Sequence, residues 1–556
     1  RPAAGGPMPL SLIGGTGLPG DEYRFEGDLP NTLGAVTAGT HYALITATDP
    51  EDSDPAQPTY HFGVDPNTLA ADASRALAVR GYGVVPITVT GYGGWVTTIH
   101  GPDRGYFSDL AVGSSGEVYV ASYVFGAIEL SAGPCSSTPP TGFGSDALLC
   151  RFDSSGNLDW AHRFSGSRSD SLVACGLGPD GTVWVSGITD SPDTDWDPGP
   201  GVKPFDGLPG QTQAFVAGYS PRGEFLAGWK LGVDALSYDS DLDVSPTGAV
   251  YARSRFVGTD VDFDPGPGQA LFSTVANTHD LMLCQFDATG VLGWARRFEC
   301  VVLGGIAEQA NTLKAMNDGG VLIGGLFSNT FDLDPTAGVD SRVDLGWSDA
   351  WLTRLGSAGD YRWGGAWGGE DYDGVDSVAE GPGTQIAVIS HFSGTVDFDP
   401  GPGTQVLTVP LAEPWTAISS FTGMGSFERV GAVLSNGAAT DCAVDGSGRL
   451  IVSGWFQGTV DFDPGPGEAI ASGMGANNPF FLMLNSDGSY ATHSAWNVTG
   501  SLIPRTIGVT PDTGKLVAAG TYAGMPDFHP GLPEVIRQTE GFNDMFLMAL
   551  SPNGTW

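Results

Sequence analysis

A seven-residue string, Asp-Phe-Asp-Pro-Gly-Pro-Gly, limits what this chain can fold into more than any other feature. It stands at Asp262–Gly268, Asp397–Gly403 and Asp461–Gly467, with a tryptophan variant at Asp195–Gly201. Weaker copies run from Phe331 to Gly338 and from Pro526 to Gly531. The prolines at positions 198, 265, 335, 400, 464 and 530 lie 67, 70, 65, 64 and 66 residues apart. A near-constant period of this length predicts a row of like units, each too small to bury its apolar face alone.

Two further markers keep the same period. A turn glycine followed by an apolar strand comes before each loop, at Gly116, Gly181, Gly248, Gly320, Gly383, Gly448 and Gly514. There are seven such glycines and six acidic loops, because the first repeat carries Gly126-Ala127-Ile128-Glu129 where the loop is due. After the loop come an apolar strand, a turn and a strand with tryptophan: Asp146–Asp153 with Trp160, Asp280–Asp287 with Trp294, Asp349–Leu355 with Trp363. Asp544–Leu550 opens a last copy that stops at Trp556. Apolar and polar residues alternate within these segments, as period-two strands require. Four short antiparallel strands per unit describe a propeller blade.

Ring closure follows from the two ends. The seventh unit lacks a fourth strand, and Gly93–Gly101 resembles the missing one; Trp95 lies one period before Trp160. The expected fold is all-β: a seven-bladed β-propeller of four-stranded blades over residues 93–556, closed by an N-terminal strand, after a small β-sandwich-like domain over residues 1–92. In that first domain His41–Thr48 and Val84–Thr90 read as strands, and Asp49-Pro50-Glu51-Asp52 opens a loop.

Composition agrees. The 84 glycines and 39 prolines suit many tight turns. With 63 acidic against 24 basic residues the net charge is −39, which excludes nucleic acid and anionic membranes as partners. No apolar run reaches the roughly 20 residues of a membrane-spanning helix. The first residue is Arg1 rather than Met, the expectation for a chain whose leader or upstream region has been removed. The six cysteines form no CxxC pair, which argues against zinc or thiol-redox chemistry. Cys135 and Cys150 flank a Ser/Thr/Pro/Gly-rich insertion and are the first candidates for a disulfide, buried free thiols being the alternative.

With its Asp-x-Asp-Pro-Gly loops, turn glycines and tryptophan strands, the segment 93–556 resembles the SBBP-type β-propeller repeat proteins of bacterial cell surfaces. Residues 1–92, with Ala47-Thr48-Asp49-Pro50 and Val85-Pro86-Ile87-Thr88-Val89-Thr90, resemble bacterial cadherin-like or immunoglobulin-like sandwiches. The resemblance implies an extracellular or cell-surface location. It is specific for fold, and fold alone does not name an activity.

Aspartates two apart in an extended segment point to the same side, and carboxylates with turn carbonyls form the oxygen shell that Ca²⁺ prefers. The candidate ligands are Asp195, Asp197, Asp260, Asp262, Asp264, Asp332, Asp334, Asp397, Asp399, Asp461, Asp463 and Asp527. Asp146, Asp280, Asp349 and Asp544, at the third strands, are expected to come near them. The alternative role is acceptance of backbone N–H bonds in a turn without metal. Both roles fit the residues, and the string lacks the ligand spacing of an EF-hand.

Catalysis has little sequence support. The eight histidines share no repeat position, and no HExxH, GxSxG or phosphate-cradling glycine loop occurs. Recurring carboxylates argue for structure, because glycoside cleavage needs one asymmetric pair. The sequence therefore leads us to expect no enzymatic activity. Trp160, Trp294 and Trp363 share a repeat position and are assigned to blade packing, whereas Trp196 and Trp455 are the candidates for exposed aromatic contacts. The expected function is a structural or binding scaffold, stiffened by Ca²⁺, that presents loops to a protein partner or to copies of itself, without membrane insertion. The rival is a carbohydrate-binding or polysaccharide-degrading protein with its site at the propeller axis.

Overall fold

The computed structural model describes residues 94–555 except 101–103, 127, 131–143, 206–210, 233–235, 276–277, 301–308, 412–413, 434–435 and 530–534, together with four short strands before residue 90. Two compact units divide the chain, Arg1–Gly93 with Gly531–Val535, and Gly94–Pro530 with Ile536–Trp556. In the first unit Gly39–Leu44 pairs antiparallel with Val84–Val89, where two strands were expected. The cadherin-like or immunoglobulin-like reading otherwise falls outside the described residues.

In the second unit each repeat folds as one antiparallel sheet of four strands. Gly105–Val112, Val118–Val124, Asp146–Phe152 and Leu158–Phe164 pair in that order. Sheets of the same pattern start at Asp170, Leu236, Gln309, Gly374 and Gly437. The seventh takes three strands from the C-terminal end, Gly500–Val509, Leu516–Gly524 and Asp544–Leu550. Its fourth is Trp95–His100, with Ile99 opposite Met545 and Trp95 opposite Ala549. Joining the two ends of the ring in one sheet leaves no open strand edge at the closure.

The first strands of successive sheets lie side by side, and Gly500–Val509 lies beside Gly105–Val112, so the ring closes. Each first strand breaks register once near its middle, as between Phe107 and Asp109 or Ala439 and Asp441. Such a bulge bends the strand and re-aims the side chain beside it. The core sits in the seams. Tyr119, Ala121 and Leu149 of the first sheet pack with Leu172, Val183, Phe215 and Tyr219 of the second, all buried. Burial of these side chains, at about 1.5–3 kcal/mol for each large apolar group, holds the wedges together. Apart from one 3₁₀ turn at Pro382–Thr384, no helix occurs among the described residues.

Candidate functional site

The acidic loops resolve first. In every described copy the first aspartate caps the loop: Asp262 Oδ1 accepts the N–H groups of Asp264 (3.0 Å) and Ala270 (2.8 Å). Asp195, Asp332, Asp397 and Asp461 do the same with their own loops. The second aspartate closes the turn, as Asp399 Oδ1 accepts Gly401 N–H at 2.8 Å; Asp197, Asp264, Asp334 and Asp463 match it. Asp527 accepts from His529 N–H, and Asp260 exchanges hydrogen bonds with Ser273. The residue after the first aspartate is buried each time: Trp196, Phe263, Leu333, Phe398, Phe462 and Phe528. The loop thus plugs one apolar side chain into the seam and satisfies its own backbone. Among the described residues no three His, Cys, Asp or Glu side chains gather so as to hold a metal.

Some expectations shift. Trp196, expected to be exposed, is fully buried, because its place between two aspartates is the plug position; Trp455 is half-buried. Trp160, Trp294 and Trp363 do pack between sheets, each indole N–H donating to a turn carbonyl of the next sheet. The third-strand aspartates do not join the loop acids in a metal site: Asp146 pairs with Arg163, Asp280 with Arg297, and Asp544 accepts from Glu540 N–H. Cys135 lies outside the described residues, so the Cys135–Cys150 pair does too; Cys175, Cys284 and Cys442 are free and buried.

Two features were missed. The first is an aromatic platform on the fourth sheet. Trp347, 66% exposed, stacks on Tyr372, 42% exposed, with ring centres 5.7 Å apart and planes 19° apart. It is the one tryptophan among those described that lies mostly in solvent. Two loops build the platform and are zipped together: Asp373 N–H donates to Ser348 O at 2.9 Å, and Trp347 N–H to Asp371 O at 3.3 Å. Two buried carboxylates brace the loops. Asp349 accepts Leu345 N–H and Asp373 accepts Gly369 N–H at 2.6 Å. A Cβ on Gly346 would come within 2.4 Å of Gly369 O, so only glycine lets the loops approach this closely. Burial pushes the Asp349 carboxyl up to about 7 and Asp373 to about 6, with the charges of Asp373 and Asp344 adding to the rise at Asp349. Exposed Leu345 and Val343 extend the apolar surface.

The second is a belt of carboxylates at the axis. One position of the first strands, counted back from the turn, holds Asp109, Ala174, Asp241, Thr312, Ser377, Asp441 and Thr506. Asp109 Oδ2 accepts Cys175 N–H of the next sheet at 2.9 Å, and Asp441 Oδ2 accepts Ile507 N–H of its next sheet at 2.9 Å. Asp243 accepts Ala315 N–H at 3.0 Å and pairs with Lys314 at 2.7 Å. Burial raises Asp109 and Asp441, and takes Asp241 to about 6. Asp243 holds the Lys314 ammonium above its ordinary value. The belt stitches neighbouring sheets and places acids and one lysine on the axis. No histidine joins it among the described contacts.

No protein-family model matches the chain, and no curated protein matches it in sequence. Among solved structures it is similar to a protein of unknown function from Dyadobacter fermentans, at 12% identity, 82% of this chain, 99% of that one and a TM-score of 0.30. It is similar also to the phage phi92 endosialidase, at 9% identity, 85% and 71% coverage and a TM-score of 0.33. The NanB sialidase of Streptococcus pneumoniae follows at 9% identity, 83% and 95% coverage and a TM-score of 0.24. These likenesses concern the fold alone. The expectation of no enzymatic activity, drawn from the lack of a catalytic motif, is corrected: that lack does not exclude an enzyme. The physical reason is that a ring brings residues from distant repeats to one axis, so a catalytic set leaves no contiguous motif to find. Among the described residues no helix is long and apolar enough to cross a membrane. The chain is an all-β protein of propeller architecture.

Proposed function

We propose that this chain is an extracellular or cell-surface binding scaffold, whose propeller holds a protein partner through the Trp347–Tyr372 platform. The supporting observation is that pair: two large rings kept in solvent on loops locked by Asp349 and Asp373. Rigid, exposed aromatics are the groups from which interface hot spots are made, since little entropy is lost when they are covered. Leu345 and Val343 beside them favour an apolar protein surface over a sugar face. The SBBP-type and cadherin-like resemblances support the surface location, with the N-terminal unit as the link to other material.

The test compares the intact chain with the Trp347→Ala/Tyr372→Ala variant and with Met424→Ser, which alters an exposed residue elsewhere. Each is immobilised and exposed to surface proteins of the source cell, and each is sedimented over a range of concentrations. The expected result is a retained protein, or self-association, weakened by about 2 kcal/mol or more in the aromatic variant only. Equal retention and equal sedimentation by all three overturns the proposal. Selective loss of glycan binding instead transfers the platform to the carbohydrate reading.

A further inference from the structure

The seams between sheets are filled by a repeated device. Trp95, Trp160, Trp294 and Trp363 stand on fourth strands, and their indole N–H groups donate to Ser154, Pro221, Ser357 and Gly423 O of the next sheet at 3.0–3.2 Å. The facing glycine leaves room for the ring; an added Cβ at Gly425 would come within 2.5 Å of Trp363. Two of these indoles pack on a tyrosine at the second position of the second strand, Trp160 on Tyr119 and Trp294 on Tyr251.

The seam between the fifth and sixth sheets departs from this in two places at once. Its fourth strand carries Arg429 where the first, third, fourth and seventh sheets carry tryptophan, the second having Ala227 and the sixth Thr492: Arg429 lies opposite Ser420 as Trp363 lies opposite Arg354. Arg429 keeps the crossing bond, donating to Ser486 O at 2.8 Å, and the facing glycine persists as Gly488. The second-strand position, aromatic in the first three sheets as Tyr119, Trp184 and Tyr251, is Ala387. Without either ring this seam holds a cavity of about 520 Å³, lined among others by Arg429, Ala387, Ile418, Ser420, Leu450 and Tyr490.

We propose that this cavity is a binding site for a small planar aromatic molecule of the indole class. The volume falls in the range of small-molecule pockets. The walls are apolar, and a guanidinium stacks well on an aromatic face. Asp463 and Asp487 at the pocket offset the charge of Arg429, which selects a neutral ligand over an anion. Four sister seams supply the template, because each holds a tryptophan ring in the equivalent place.

The experiment titrates indole into the full chain, reading heat and thermal shift, alongside Arg429→Trp and Ala387→Leu. The first variant restores the ring of the sister seams; the second places there the residue that the fourth sheet has as Leu322. The expected result is saturable binding at half-saturation of about 1 mM or tighter, with affinity at least about tenfold weaker in each folded variant. Should Arg429→Trp not fold, Ala387→Leu carries the comparison. No saturable binding up to the solubility of indole, or equal binding by the variants, overturns the proposal. Neither outcome bears on the Trp347–Tyr372 platform, which stands on other residues.

Discussion

Asp441 Oδ2 accepts the Thr506 hydroxyl at 3.1 Å, joining the inner strand of the sixth sheet to that of the seventh. The same carboxylate accepts Ile507 N–H from the seventh sheet, and its other oxygen accepts Ser377 Oγ of the fifth sheet at 2.7 Å. Three sheets therefore meet at one side chain, and Thr506 also reaches Asp109 Oδ1 of the first sheet at 3.3 Å. Removal of the carboxylate strands several donors at the axis. Asp441→Ala is expected to lower the unfolding free energy by about 2–4 kcal/mol, measured by urea denaturation. A loss below about 0.5 kcal/mol, the ordinary range for a surface change, would show that the belt is not a structural clasp.

Buried carboxylates also set how stability varies with pH. Asp349 is held near 7, and Asp170, Asp241 and Asp373 near 6, against 3.8 for an ordinary aspartate, with burial as the main cause. Each binds its proton more tightly folded than unfolded, so this stabilisation is complete below about pH 4 and is lost as pH rises through 6 to 7. The loss of protons also increases self-repulsion in a chain of net charge −39. The melting temperature is expected to fall between pH 5 and 8. Asp349→Asn, which removes the titration nearest neutrality, should flatten that fall. A melting temperature that climbs over this interval contradicts the assignment.

How much of this was legible follows from what each residue does locally. The ring was legible because the turn glycines, the Asp-x-Asp-Pro-Gly loops and the tryptophan strands are each fixed by short-range geometry, which forces the same residues to recur at the same interval. The closing strand at Trp95 was found for the same reason. The axial acids left a weaker trace: Asp109, Asp241 and Asp441 each precede a valine by three residues and a turn glycine by seven. Their convergence depends on seven strands meeting, a relation that no single stretch of chain contains. Trp347 and Tyr372 were invisible because their exposure is an exception to the repeat, set by a loop contact at Gly346. Trp196 was expected outside because it lies in an acidic loop, although the apolar residue after the first aspartate of each loop is the one that fills the seam.

Calcium is the next point at which loop geometry and composition part. Each loop aspartate already accepts backbone N–H groups, so the turns hold without a cation to bridge them. Treatment with a chelator is therefore expected to leave the melting temperature unchanged within about 1 °C. An upward shift on adding Ca²⁺ that disappears in Asp397→Ala would instead place an ion at the loop.

The last glycine of the string carries a sharper test of the same loop. A Cβ at Gly403 would sit 2.0 Å from Asp399 Oδ2, and Gly201, Gly268, Gly338 and Gly467 face their own aspartates at 2.0–2.1 Å. The second aspartate and the last glycine therefore form one unit, with the carboxylate in the space that a side chain would take. Gly403→Ala is expected to destabilise by about 1–3 kcal/mol, because the clash breaks the bond from Asp399 to Gly401 N–H. In an Asp399→Ala background the same change meets no carboxylate and should cost less than half as much. A double-mutant cycle in urea measures the difference. If the two substitutions add, the glycine is retained for some reason other than the aspartate, and the pairing that explains Asp-x-Asp-Pro-Gly-Pro-Gly fails.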